Sequence, residues 1–342
     1  MTARAPHRTI NRTITSTLTR TALVAALAAT SAGLAACGGG VERVTPVAAE
    51  QAGYPAVAVP QAAGILDAVD QAVSAGTQQR TAKAFGDRVT GPYRNFALAK
   101  GKVDTARKVK PIVPEFERLR LLVPEATAWP RFFVAVGNSS VASTPVLRVL
   151  LSPTARAQYG LWSELTMLPG ATVPEVAAPD TGAPALAQDD ASLAVTPKAV
   201  MTKFAAHLSS GGKADASLFK ANEFSEQVVA RFNSDRKRLA AVATVSSSHA
   251  PDLRTVFTLR TADGGAIVIG ALTQKYTVAV KQGQPGAKVD PALAALANGK
   301  VQFGKSFTRT AVEVVAFAVP KRGAGPVTVI AAQKGDIAAA AS

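Results

Sequence analysis

The chain has little of what catalytic and metal centres are usually built from. It has one cysteine in 342 residues, which excludes a disulfide scaffold. Its three histidines stand at positions 7, 207 and 249, so with no cysteine cluster no zinc site is expected. Only 18% of residues are charged and 48% are hydrophobic, which excludes a disordered chain. There is no Gly-x-Ser-x-Gly elbow, phosphate loop or dinucleotide fingerprint. Ser210-Gly211-Gly212-Lys213 and Ser217-Leu218-Phe219-Lys220 match Ser-x-x-Lys literally, but a glycine pair splits the first and no Lys-Thr-Gly accompanies them. His249 follows Ser246-Ser247-Ser248 and precedes Asp252; on paper this is a Ser/His/Asp set, but turn chemistry explains a polar cluster better. Asp189-Asp190 reads as a solvated pair. The sequence therefore predicts no catalytic residue, no metal and no cofactor, and leans away from an enzyme.

Acids are also missing from the first 20 residues, which hold Arg4, Arg8, Arg12 and Arg20. An uncharged stretch follows, with Leu23, Val24, Leu27 and Leu34 among alanines, and ends in Leu34-Ala35-Ala36-Cys37-Gly38. Positive start, short apolar run and small residues before a cut are the parts of a secretory signal. Leu34-Ala35-Ala36-Cys37 resembles the lipobox of bacterial lipoproteins. That resemblance implies removal of residues 1–36 and lipid attachment at Cys37, on the extracytoplasmic face of the cell membrane. Two or more acyl chains anchor firmly where one does so marginally. A plain signal peptide and an uncleaved anchor are the alternatives. Residues 37–59, with three glycines directly after Cys37, read as a flexible tether.

Positive charge is unevenly spread. Of the formal +15, the first 36 residues hold +4, residues 37–190 hold +1 and residues 191–342 hold +10. A basic half on a membrane-tethered protein suggests an anionic lipid or envelope polymer as a neighbour. Arg236-Lys237-Arg238 is the one compact cluster and the candidate contact. The bland alternative is a soluble, lysine-dotted surface. The compartment and the absence of a binding motif exclude nucleic acid, and nothing identifies a protein partner.

The mature chain reads as two similar halves. Ile65, Leu66, Val69 and Val73 fall at helical spacing in a segment from Pro60 to Gly76, with Gly76 as its cap. Val200, Phe204 and Leu208 do so between Thr196, a good N-cap, and Gly211. Each helix precedes a second amphipathic segment, holding Phe85, Val89, Tyr93 and Phe96, or Phe219, Phe224, Val228 and Phe232. Strands follow near 119–123, 132–136, 146–151 and 160–168, and then near 240–245, 255–259, 266–280, 307–319 and 327–331, with Asp263-Gly264-Gly265 as a hairpin turn. Helices before strands predict an α+β protein. The expected plan is two related helix-then-antiparallel-sheet domains at 60–180 and 196–335, a linker at 181–195 and a frayed tail at 336–342.

Phe132-Phe133-Val134-Ala135-Val136, Leu161-Trp162-Ser163-Glu164-Leu165-Thr166-Met167-Leu168-Pro169-Gly170 and Arg260-Thr261-Ala262-Asp263-Gly264-Gly265, together with the lipobox, resemble uncharacterised lipoproteins of high-GC actinobacteria. The resemblance implies an address and no activity. The helix-then-sheet order is also similar to cone-shaped folds, such as the nuclear-transport-factor-two-like and cystatin-like groups, some of which catalyse proton transfers in a pocket. Such a pocket needs a perturbed acid or tyrosine, and spacing selects none of Tyr54, Tyr93, Tyr159 and Tyr276. Trp129, Phe132, Phe133 and Trp162 are candidates to line it or to fill a core. The expected function is non-catalytic binding or scaffolding in the cell envelope. The rivals are a small-ligand-binding or solute-binding lipoprotein and an enzyme with a pocket in a cone-shaped domain.

Overall fold

A computed structural model describes residues 53–184 and 186–342; Leu34, Ala35, Ala36 and Cys37 lie outside them. Helix α1 (Val59–Gln79) buries Ala62, Ile65, Leu66, Val69 and Val73 along one stripe. It passes through Gly76 and ends at Arg80, whose φ of 56° is left-handed and whose N–H reaches the Gly76 carbonyl. Gly76 is thus no cap. A β-carbon there would strike the Phe85 ring, so glycine admits a close approach. Helix α2 (Gly91–Ala106) follows a short helical turn and a 3₁₀ turn. Then come β1 (Phe116–Leu122), β2 (Arg131–Ser139), β3 (Val146–Ser152) and β4 (Gly160–Met167).

The second half repeats this order. In α3 (Pro197–Ser209) the Thr196 hydroxyl accepts the Ala199 N–H, and Val200, Met201, Phe204 and Leu208 are buried. In α4 (Glu223–Arg238) the Asn222 side chain accepts the Ser225 N–H; acids fill the first turn and Arg236, Lys237 and Arg238 the last, as the helix dipole favours. Strands β5 (Ala243–Arg260), β6 (Ala266–Val280), β7 (Ser306–Val319) and β8 (Thr328–Ala341) complete it. A small detail recurs in both halves. Before α2, Val89 bridges Leu161, beside β4's start, and the Thr90 N–H reaches the Leu161 carbonyl; before α4, Phe219 bridges Val327, just ahead of β8, and the Lys220 N–H reaches the Val327 carbonyl.

The fold is α+β, with one eight-stranded antiparallel sheet in the order β1-β2-β3-β4-β8-β7-β6-β5. The fourth strand of each half pairs with its counterpart at Met167–Ala331 and Thr166–Ala332. The sheet curls so far that Phe257 of β5 lies 4.8 Å from both Phe132 of β2 and Trp162 of β4, ring centre to ring centre. The inner faces of the half-sheets therefore share one core, including Val134, Leu147, Leu165, Ile267, Ile269 and Val314. The outer faces carry α1, over Phe133, Leu150 and Leu161, and α3, over Val268, Val315 and Phe317. The layers run helix, sheet, sheet, helix.

All the described residues fall in one compact unit. The segment expected as a linker is bound to both halves. Ala183 pairs with Val123 and Glu125, Ala194 donates to the Pro320 carbonyl, and Asp190 meets Arg260 at 2.7 Å. The tail expected to fray instead pairs Ala338–Ala341 with Phe307–Thr310. The segments near 240–245 and 255–259 belong to a single strand, β5, irregular between Pro251 and Val256. Asp263-Gly264-Gly265 does turn β5 into β6, with Gly264 at φ 86°.

Candidate ligand-binding cleft

The outer face of the sheet carries two buried charges. Arg148 of β3 is fully buried and faces Glu164 across the strand pair. Its Nε donates to Glu164 at 2.7 Å, its Nη1 to Asp70 of α1 at 2.5 Å, and its guanidinium lies 4.0 Å from the Phe116 ring centre. Burial opposes the charge, but Glu164 and Asp70 outweigh it, so Arg148 holds its proton more tightly than in water. Glu313 of β7 is also fully buried and faces Lys334 of β8. Lys334 Nζ donates to Glu313 and to Gln274, both at 2.6 Å. Burial pushes the Glu313 carboxyl up; His249 and Lys334 outweigh that and hold it below its ordinary range.

Glu164 and Lys334 each stand two residues on from the Thr166–Ala332 pair, and both line a cleft of about 600 Å³ over the β4–β8 junction. One wall is α2, through Tyr93, Phe96 and Ala97. A β-carbon on Gly335 would come within 2.7 Å of the Phe96 ring, so β8 passes close under this wall. The other wall is α5 (Pro291–Leu296), through Leu293 and Leu296. Helix α5 lies in the connection Lys281–Lys305 between β6 and β7. The matching connection in the first half is only Ser140–Pro145. The cleft therefore stands where the second half departs from the first.

The groups at the floor are fixed and partly unspent. Arg148 engages Oε2 of Glu164, leaving Oε1. Lys334 uses two of its three donors. Asp336 accepts from Arg309 at Oδ2, while its buried Oδ1 has no partner among the described residues. Burial first, and then Glu164, raise the Tyr93 phenol, which keeps it a neutral donor. The cleft thus has mostly apolar flanks, with the Lys100–Asp104 pair also on the α2 side, around a floor offering acceptors and an ammonium, the pattern of a small-molecule site.

A smaller groove of about 280 Å³ lies on the far side of α5, with Leu293 lining both. Arg231 and Arg238 of α4, Lys288 and Arg309 rim it. The sequence cluster splits here. Arg238 turns to the groove and meets Asp235 at 2.7 Å, Arg236 lies 5.3 Å over the Phe232 ring, and Lys237 is exposed. Asp235 accepts from Arg231, Arg238 and the Tyr276 hydroxyl. Burial pushes its carboxyl up, but these three bonds outweigh it and hold the pKa at about 2.

Other expected features are structural. His249 meets Ser209 and Glu313, not Asp252: the Ser209 hydroxyl accepts the His249 N–H at 2.9 Å and lies 3.2 Å from Nδ1, and Nε2 is 3.5 Å from Glu313. Ser246-Ser247-Ser248-His249 is strand, with Ser247 and His249 buried and the other two exposed. Asp252 bonds Arg254 instead. His207 holds the Ala214 carbonyl, and Ser210 accepts from Lys213 and Ala214 to end α3. Among the aromatics, Phe132 and Trp162 fill the central core, Phe133 packs on Tyr159 under α1, and Trp129 is exposed beneath Arg131. Sequence reasoning selected none of Arg148, Glu164, Lys334, Arg231 or Arg309. Only Arg231 has a local signal, four residues before Asp235.

A protein of Streptomyces avermitilis described as an uncharacterized lipoprotein is 29% identical to this chain over 278 residues, covering 77% of this chain and 78% of that protein. No solved structure matches. A family model described as a domain of unknown function, DUF8094, matches residues 54–341, which take in both halves and all eight strands. The family's unit is thus the whole doubled body, and the chain belongs to the DUF8094 family.

Proposed function

We propose that the chain is a cell-envelope lipoprotein, held by acylated Cys37 on the outer face of the cytoplasmic membrane, whose folded body binds a small amphipathic molecule without transforming it. The cleft over the β4–β8 junction carries the binding half of this reading. Its volume of about 600 Å³ suits a small ligand, and its mostly apolar walls flank a spare Glu164 oxygen and a spare Lys334 donor. A ligand with an apolar body and a polar end bearing both a donor and an acceptor matches that floor. The non-catalytic half rests on how the polar groups are used: Glu164 and Lys334 are each clamped by a buried counter-charge, an arrangement that orients rather than reacts. Anchoring is supported by Leu34-Ala35-Ala36-Cys37 and by the description of the Streptomyces relative as a lipoprotein.

Two measurements test the reading. Cys37→Ser should move the protein from the membrane to the soluble fraction; wild-type membrane retention would overturn the anchor. Native mass spectrometry of the chain purified from its producing membranes should show a bound small molecule, lost in Ala97→Trp while the circular dichroism is unchanged. An adduct that survives Ala97→Trp, or none in the wild type, would overturn the cleft as the site.

A further inference from the structure

We infer that the groove beneath the last turns of α4 is a second binding site, for the phosphodiester headgroup of an anionic membrane lipid. Four cations line it, Arg231, Arg238, Lys288 and Arg309; Asp235 is the one carboxylate of the lining, and Asp336 meets Arg309 at 3.4 Å from beside it. Asp235 is already saturated by Arg231 Nε at 2.8 Å, Arg238 Nη2 at 2.7 Å and the Tyr276 hydroxyl at 2.7 Å. Each arginine spends one nitrogen on Asp235 and keeps the rest of its fork, and their side chains are 68% and 64% exposed. Lys288 is exposed and makes no side-chain hydrogen bond among the described residues. Arg309 lies 4.5 Å from the Tyr276 ring centre, which fixes its plane. The site therefore has a surplus of forked donors, the chemistry that takes a phosphate oxygen pair.

The floor decides what else the ligand carries. Val278, Phe303 and Phe307 pave it, so the phosphate sits beside an apolar portion. About 280 Å³ is too little for a whole lipid and fits a headgroup with its glycerol stem. Arg236 and Lys237, exposed on the same helix turn, extend the positive face beyond the rim. The C-terminal dipole of α4 repels an anion, so the side chains alone must supply the attraction, and their substitution should abolish it. The inference does not depend on the cleft or on Cys37.

The test titrates the full chain, in a neutral detergent, with dihexanoyl phosphatidylglycerol, dihexanoyl phosphatidylcholine and inorganic phosphate. Saturable binding of the first, at least about tenfold tighter than the other two, is expected for a site with several charge-assisted bonds. Lys288→Glu and Arg231→Gln should each weaken it about fivefold or more, while Lys198→Glu, on exposed α3 surface, should change it less than about twofold. Equal binding of phosphatidylcholine, binding of inorganic phosphate as tight as the lipid, or an equal loss in Lys198→Glu would each overturn the site. Melting curves of the variants separate lost binding from lost fold.

Discussion

Arg148 and Glu313, one in each half, are both buried on a third strand and carry opposite charges. Each is fully buried on the third strand of its half, and each pairs across to the fourth strand, Arg148 with Glu164 and Glu313 with Lys334. The exchange of sign sets an acid and a base side by side where the halves meet.

Removing one member of a buried pair strands the other. Arg148→Met leaves Glu164 and Asp70 without their counter-charge and should cost about 3–5 kcal/mol in chemical denaturation. The triple change Arg148→Met, Glu164→Leu, Asp70→Leu should recover much of that loss, since apolar packing often replaces a buried ion set at little cost. If the triple variant is no better than the single one, the cost of Arg148→Met does not come from stranded charge.

Acid should loosen α4 from the sheet. Asp235 is held at about 2, below its ordinary 3.8. A depressed carboxyl contributes stability fully above its unfolded pKa and loses it as pH falls through the folded one. The contribution is on the order of 1–2 kcal/mol, discounted because Arg231 and Arg238 are exposed, and it disappears between about pH 4 and pH 2. Asp235→Asn should flatten the stability profile in that window; an unchanged slope would show that the carboxylate is not so held.

The two halves should melt together. Phe257 touches both half-sheets through Phe132 and Trp162, so Phe257→Ala should cost about 3–5 kcal/mol and shift one common transition. Calorimetry of the wild type should show a single cooperative peak. Two resolved peaks would mean that the shared core does not couple the halves.

The α5 insertion should be dispensable for the sheet. Its own cluster, Val289, Ala294, Phe303, Phe307 and Ala341, is small and separate from the central core. Cutting Lys281–Lys305 to the length of Ser140–Pro145 should keep the strand signal in circular dichroism while removing one wall of the cleft and of the groove. Loss of all native strand signal would show instead that the insertion supports the fold.

Much of this architecture was legible in sequence because local rules were obeyed. Thr196-Pro197 starts α3 where capping chemistry places it, and the stripe Val200, Phe204, Leu208 gives its buried face. The failures have physical causes. Strand β5 alternates buried and exposed from Ala243 to Ala250, but its buried positions include Ser247 and His249, so an apolar period of two is invisible. Ala338–Ala341 has no strand propensity to speak of and is held by the partner strand β7. Gly76 looks like a cap, and its reason is Phe85 packed against it. The cleft was unreadable because Glu164 and Lys334 meet only through the curled sheet, with neighbours that announce neither.

Strand β8, the last of the eight in sequence, lies inside the sheet between β4 and β7. A chain that emerges from its N-terminus therefore presents β1–β4, and later β5–β7, with an edge on each set that only β8 pairs. Those edges stay open until residues after Thr328 arrive. The order of arrival makes closure the final event, and a protein cut short before Thr328 would expose two sticky borders rather than a slightly smaller copy of itself.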